Sequence, residues 1–238
     1  MNDFRNIATG TQSRVETVNA FMRGVYTWMS MGLGLTALTA YMVASSPAMI
    51  SLIFGNKMVF FGLIIAELAL VFGISAGVSR LSASMASGLF MLYSVLNGAT
   101  LSAILLYYTA ASIAMTFLIC AGMFGAMTVY GLTTQKDLTS WGSFLFMGLI
   151  GLIIASVVNI FMKSSAMEFV ISGVGVLLFT GLTAYDTQKL KVMGESAPMD
   201  DSLAIRRGSI LGALTLYLDF INLFLMLLRF FGQAFLNG

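Results

Sequence analysis

Residues Leu81 to Gln135 read LSASMASGLFMLYSVLNGATLSAILLYYTAASIAMTFLICAGMFGAMTVYGLTTQ, 55 residues without one charged side chain. A helix needs about 20 mostly apolar residues to cross the roughly 30 Å hydrocarbon layer of a bilayer, so this stretch holds two crossings. Their turn falls near Tyr107 to Ser112, where two tyrosines, Thr109 and Ser112 interrupt the aliphatic run with side chains suited to a membrane interface.

The same reading extends to both ends of the chain. Gly24 to Asn56 carries no charge, Met58 to Ser79 only Glu67, and Gly208 to Leu228 only Asp219. Seven spans are expected, over residues 24–46, 58–79, 84–107, 112–134, 140–162, 167–188 and 208–229, after a polar tail over 1–23. They are expected to be helices, because lipid offers no partner for unpaired backbone groups and the runs lack the strict alternation of a barrel strand. The fold class is an all-α integral membrane protein, a seven-helix bundle forming one domain over 24–238.

Composition agrees with that class. Of 238 residues 58% are hydrophobic and 9% charged, against roughly a quarter charged in soluble domains. A net charge of +2 is too small for a nucleic-acid binder that must neutralise phosphates. The chain has no histidine, which removes imidazole-based zinc sites and triads, and its single Cys120 cannot form an intrachain disulfide. No enzymatic activity is expected.

Orientation follows from the Lys/Arg bias. With the N-terminus in the cytoplasm, Arg5, Arg14, Arg23, Arg80, Lys136, Lys189, Lys191, Arg206 and Arg207 lie inside, and Lys57, Lys163 and Arg229 outside. The seventh segment is expected to cross fully; a re-entrant segment would return Arg229 to the inside. Phe4, Ile7, Val15, Val18 and Phe21 give the tail a weakly amphipathic face. The stretch from Lys189 to Arg207, with Pro198 and Asp200-Asp201, reads as an exposed loop. Gly73-xxx-Gly77 and Gly208-xxx-Gly212 have the small-xxx-small spacing of close helix packing, read here as packing within the bundle.

The acids inside the spans carry the functional reading. A charge at the bilayer centre costs about 2.5–3.5 kcal/mol even on lenient scales, so such residues face the bundle interior or water and mark ion or proton pathways. Glu67, Asp186 and Asp219 qualify, and no basic residue lies equally deep. Asp186 and Asp219 stand on spans joined by one loop and are expected to meet. Two carboxylates that close cannot both ionise cheaply and titrate as a coupled pair, which makes a pH sensor. Doubly ionised, they offer hard oxygen ligands to a divalent cation, for which calcium is better suited than magnesium. With Lys189 and Arg206 as boundary markers, Asp186 lies about 5 Å and Asp219 about 20 Å inside, a mismatch that shrinks if the last helix begins in the cytosol. The alternative is that each acid is capped separately by neighbours such as Thr183 or Asn222.

Around the two aspartates the chain reads Thr183-Ala184-Tyr185-Asp186-Thr187-Gln188 and Ala213-Leu214-Thr215-Leu216-Tyr217-Leu218-Asp219-Phe220-Ile221-Asn222-Leu223-Phe224, then Leu227-Leu228-Arg229. Both segments resemble the signatures of the Bax inhibitor family, also called the transmembrane BAX inhibitor motif family. The resemblance implies a seven-helix bundle with a pH-sensitive aspartate pair, a calcium-leak activity, and links to cell survival and membrane-protein quality control. By position it gives Asp186 and Asp219 as the pair and Arg80 as the arginine on the second helix that latches onto it. Three other functions compete. A regulator acting through membrane-protein partners would use its tail or the 189–207 stretch. An intramembrane aspartyl protease would share Tyr185-Asp186 but would need Gly-x-Gly-Asp where this chain has Tyr217-Leu218-Asp219. A proton-coupled transporter would need repeats that the chain lacks. The expected address is the bacterial inner membrane, with the lipid bilayer and calcium or another cation as partners.

Overall fold

The computed structural model describes residues 2–77, 80–197 and 201–236, with side chains described over 14–77, 80–197 and 201–231. Phe4, Arg5 and Ile7 as side chains, the last two residues of the expected second span, Pro198 and Asp200 lie outside that description. Among the described residues all regular structure is α-helical: α1 (Asn2–Ala44), α2 (Pro47–Phe54), α3 (Lys57–Gly77), α4 (Ala83–Tyr107), α5 (Ala110–Thr133), α6 (Thr139–Met162), α7 (Ser165–Glu195) and α8 (Ser202–Leu236). Six of them, α3 to α8, are each long and apolar enough to cross a membrane. A seventh span is reached only by counting α1 from Arg14 together with α2, which follows it after a bend of 100°.

The bend has a local cause. Pro47 has no N–H and disfavours helical geometry in the residue before it, so Ser46 is extended at φ −117° and ψ 106°. Ser46 Oγ accepts from Met49 N at 3.4 Å, and Pro47 takes the first turn of α2, where its missing donor is no loss. The turn expected near Tyr107 to Ser112 is there, with α5 capped by Thr109, whose Oγ1 accepts from Ser112 N at 3.2 Å.

α1 and α7 both run beyond the spans expected for them, and the loop expected between Lys189 and Arg207 is corrected. α1 runs through the tail and, at about 1.5 Å per residue, its 43 residues extend well beyond one membrane thickness. The stretch read as an exposed loop is mostly helical, α7 continuing to Glu195 and α8 starting at Ser202. Polar composition there marks helix that projects from the membrane, and Asp201 caps α8 by accepting from Ala204 N at 2.8 Å. With α8 beginning ahead of Arg206 and Arg207, those arginines lie on its first turns. α8 then runs unbroken for 35 residues, with no re-entrant break among them.

The helices form two compact units, Met1–Tyr107 with Leu190–Tyr217, and Tyr108–Lys189 with Leu218–Gly238. In the first, α1 and α3 pack on α4, and Val43, Ile53 and Ala99 form a core with Phe54, Phe60 and Leu63 around it. Phe21, Val25, Ile210 and Leu214 are fully buried in the same unit. A Cβ at Gly212 would stand 2.8 Å from Leu190 Cδ2 and 3.0 Å from Val25 Cγ2, so Gly208-xxx-Gly212 does seat neighbouring side chains, whereas Gly73 faces open space and seats none. In the second unit Phe117 and Phe124 meet the ring of Phe220 edge-on, with centroids 5.6 and 5.4 Å away.

Candidate functional site

Asp186 on α7 and Asp219 on α8 lie together in the second unit, 9% and 5% exposed. Their carboxyl groups face each other within hydrogen-bonding reach. Carboxylates have no hydrogen to donate, so a bond between them exists only when one carries a proton. Asp219 Oδ2 is closed to solvent and has no hydrogen-bond partner among the described residues. The cation whose charge acts on Asp186 is Lys189, one turn further along α7, with its ammonium 5.9 Å above the Tyr185 ring.

Separate capping of the two acids is not what the side chains do. Thr183 Oγ1 donates to Phe179 O at 2.8 Å and Asn222 Nδ2 to Leu218 O at 2.8 Å, each serving its own helix. α7 is held in place around Asp186 by two uncharged residues. Gln188 Oε1 accepts from Leu138 N at 2.8 Å while Nε2 donates to Lys136 O at 2.8 Å, which ties the α5–α6 turn to α7. Gly131 lets α5 approach, since a Cβ there would come within 2.5 Å of Ala184 O.

Two hydroxyls in this unit break a local habit. Helical Ser and Thr side chains commonly bond the carbonyl four residues back, as Thr180 does to Val176 O at 2.6 Å and Thr133 to Val129 O at 2.7 Å. Thr128 Oγ1 and Thr187 Oγ1 are buried and have no hydrogen-bond partner among the described residues. The α5–α6 turn, outside the membrane, also holds Asp137. Its carboxylate accepts from the hydroxyl of Thr139 and from Thr139 N, which holds it below the usual carboxylate range.

Glu67 stands in the first unit, in a network of its own. Its Oε1 accepts from Thr100 Oγ1 at 2.9 Å and its Oε2 from Asn97 Nδ2 at 3.4 Å. Asn97 Oδ1 accepts from the Tyr217 hydroxyl at 3.1 Å, and that hydroxyl lies 2.6 Å from Thr36 Oγ1. Tyr217 is fully buried, edge-on to Phe90 and Tyr93. Arg80 is exposed on the turn after α3, its backbone N–H bonded to Gly77 O at 2.8 Å. Charge within the spans marks the acids but not Asn97, Thr100, Thr128, Thr187, Gln188 and Tyr217, which are uncharged. Asn97 and Thr100, three apart on one helical face and polar in an apolar span, were the available signal.

The chain matches the family described as inhibitor of apoptosis-promoting Bax1 over residues 18–235. It is 56% identical over 216 residues to the inner membrane protein YbhL of Escherichia coli, covering 91% of this chain and 92% of that protein. An uncharacterized membrane protein of Streptococcus pyogenes is 38% identical over 227 residues, 94% of this chain and 96% of the relative. These likenesses and the apolar helices make it an integral protein of the bacterial inner membrane. The chain belongs to the Bax inhibitor family.

Proposed function

We propose that this protein is a proton-regulated cation leak with calcium as its cargo, and not an enzyme. Asp186 and Asp219 are its sensor and ion site, and Glu67 is a second acidic station. The observation that carries the reading is the meeting of the two buried carboxyls. Two unit charges about 4 Å apart repel by roughly 4 kcal/mol at an effective dielectric of 20, enough to move a two-state equilibrium by about a thousandfold. One proton entering or leaving the pair therefore has the leverage to bias a closed-to-open balance.

The ligand count suits passage. Two carboxylates supply at most about four of the six to eight oxygens that calcium takes, so a transiting ion keeps water or backbone oxygens around it. Among the described residues no three acidic or thiol side chains gather into a metal cage. The test is calcium uptake by proteoliposomes across a pH series. Asp219→Asn is expected to flatten the pH profile of the wild-type protein, with Asp186→Asn doing the same. A wild-type profile in both variants contradicts the proposal and favours a regulator that works through protein partners.

A further inference from the structure

A cleft of about 400 Å³ opens in the second unit between the end of α6, the start of α7 and the later part of α8, lined by Ser156, Asn159, Lys163, Glu168 and Arg229 among others. None of these residues belongs to the aspartate pair. α6 has 24 residues, about 36 Å of helix, and Lys163 directly follows it, so the cleft lies where the hydrocarbon layer gives way to headgroups. The volume falls in the range of small-ligand sites.

Charge defines what fits. Lys163 and Arg229 face a single carboxylate, Glu168, so a positive charge remains in the cleft however the three pair. Lys163 adopts the left-handed region at φ 50° and ψ 38°, a conformation that costs an L-residue about 1–2 kcal/mol and that glycine or asparagine usually fills. Asn159 Oδ1 accepts from Ser164 N at 3.1 Å, which leaves the Asn159 amide N–H groups for an oxygen ligand. Apolar surface adjoins the polar cleft: Phe169 stacks on Phe230 at 4.8 Å, and Phe161, next to the lining residue Ile160, is 82% exposed.

We propose that this cleft binds a phosphate group, that of a phospholipid with an amino headgroup, the phosphate resting on Lys163 and Arg229 and the ammonium on Glu168. A headgroup with one phosphate and one primary ammonium sets its anion between the two cations and its cation on the one carboxylate, and its acyl chains continue over the phenylalanines. Arginine and lysine at a membrane boundary are the usual partners of lipid phosphate.

The test uses the full-length protein in neutral detergent, titrated separately with short-chain phosphatidylethanolamine, phosphatidylglycerol, phosphatidylcholine and inorganic phosphate. Binding is read by native mass spectrometry and by thermal unfolding. Phosphatidylethanolamine is expected to bind most tightly, and K163Q/R229Q to weaken it by about tenfold or more, the loss of charge-assisted hydrogen bonds. Glu168→Gln is expected to erase the preference for phosphatidylethanolamine over phosphatidylglycerol. Lys163 and Arg229 are exposed, so the lipid-free protein should unfold at the same temperature in the double variant. Equal affinity for the three lipids, or lipid affinity in K163Q/R229Q within about twofold of wild type, overturns the proposal. Inorganic phosphate binding as tightly as the lipid, and displacing it, identifies a free anion as the ligand and overturns the lipid assignment.

Discussion

Asp219 Oδ2, buried with no donor of its own, and the Asp186 carboxyl facing that side chain define the site at its smallest scale. Around them the chemistry lies in single hydroxyls and amides. Thr187 is fully buried, and its Oγ1 has no partner among the described residues. A buried hydroxyl without a hydrogen bond does not stabilise, so Thr187→Val, nearly the same shape, should leave the unfolding temperature in detergent unchanged or raise it. A clear fall would mean that the hydroxyl is bonded after all. Asp137 gives a pH prediction with a definite sign. Its carboxyl is held below the usual range by the hydroxyl and N–H of Thr139, so its contribution to the α6 start is present at neutral pH and is lost as pH falls through the depressed value. Carbon-13 resonances of the Asp137 carboxyl should titrate below those of an ordinary aspartate, and Thr139→Val should move them back toward it. The acids themselves were legible in the sequence because a charge within 20 apolar residues stands out. The uncharged residues that hold them, Gln188 above all, were not, because a glutamine at the end of a span has the same composition whether or not its amide clamps a turn.

At the scale of elements, close approach separates glycines that look alike in the sequence. Gly131→Ala pushes a methyl to within 2.5 Å of Ala184 O and should destabilise by about 1–3 kcal/mol. Gly73→Ala meets open space within a helix and should be neutral or stabilise by up to about 1 kcal/mol. Reversible unfolding in mixed micelles measures both, and equal effects would contradict the packing described. Tyr217→Phe removes the donor to Asn97 Oδ1 and the contact with Thr36, and should cost about 1–3 kcal/mol because it leaves buried polar atoms unmatched. Span centres were readable wherever charge was absent for long enough. Helix ends were not, since the polar residues after Gln188 are as compatible with a projecting helix as with a loop, and only the caps at Asp201 and Ser46 distinguish the two. Pro47 was visible in the sequence, but the right-angled break that it permits was not.

For the molecule as a whole, membrane residence and family were readable from the apolar runs and the two aspartate segments. The number of crossings turns on the bent pair of α1 and α2, because six other helices qualify without it. Seven crossings would put the termini on opposite faces, with nine Lys/Arg inside and three outside in the proposed orientation. A phosphatase fused after Gly238 should then be active and a fluorescent protein there dark; the reverse pattern would contradict that topology. The most direct trial of the proton-sharing pair is an isotope-edited infrared titration of the aspartate carboxyls in reconstituted membranes. Two separated, coupled protonation steps are expected for the pair, collapsing to one step in Asp219→Asn. Two independent carboxyls titrating together, with the Asp186 step unmoved by that substitution, would contradict it.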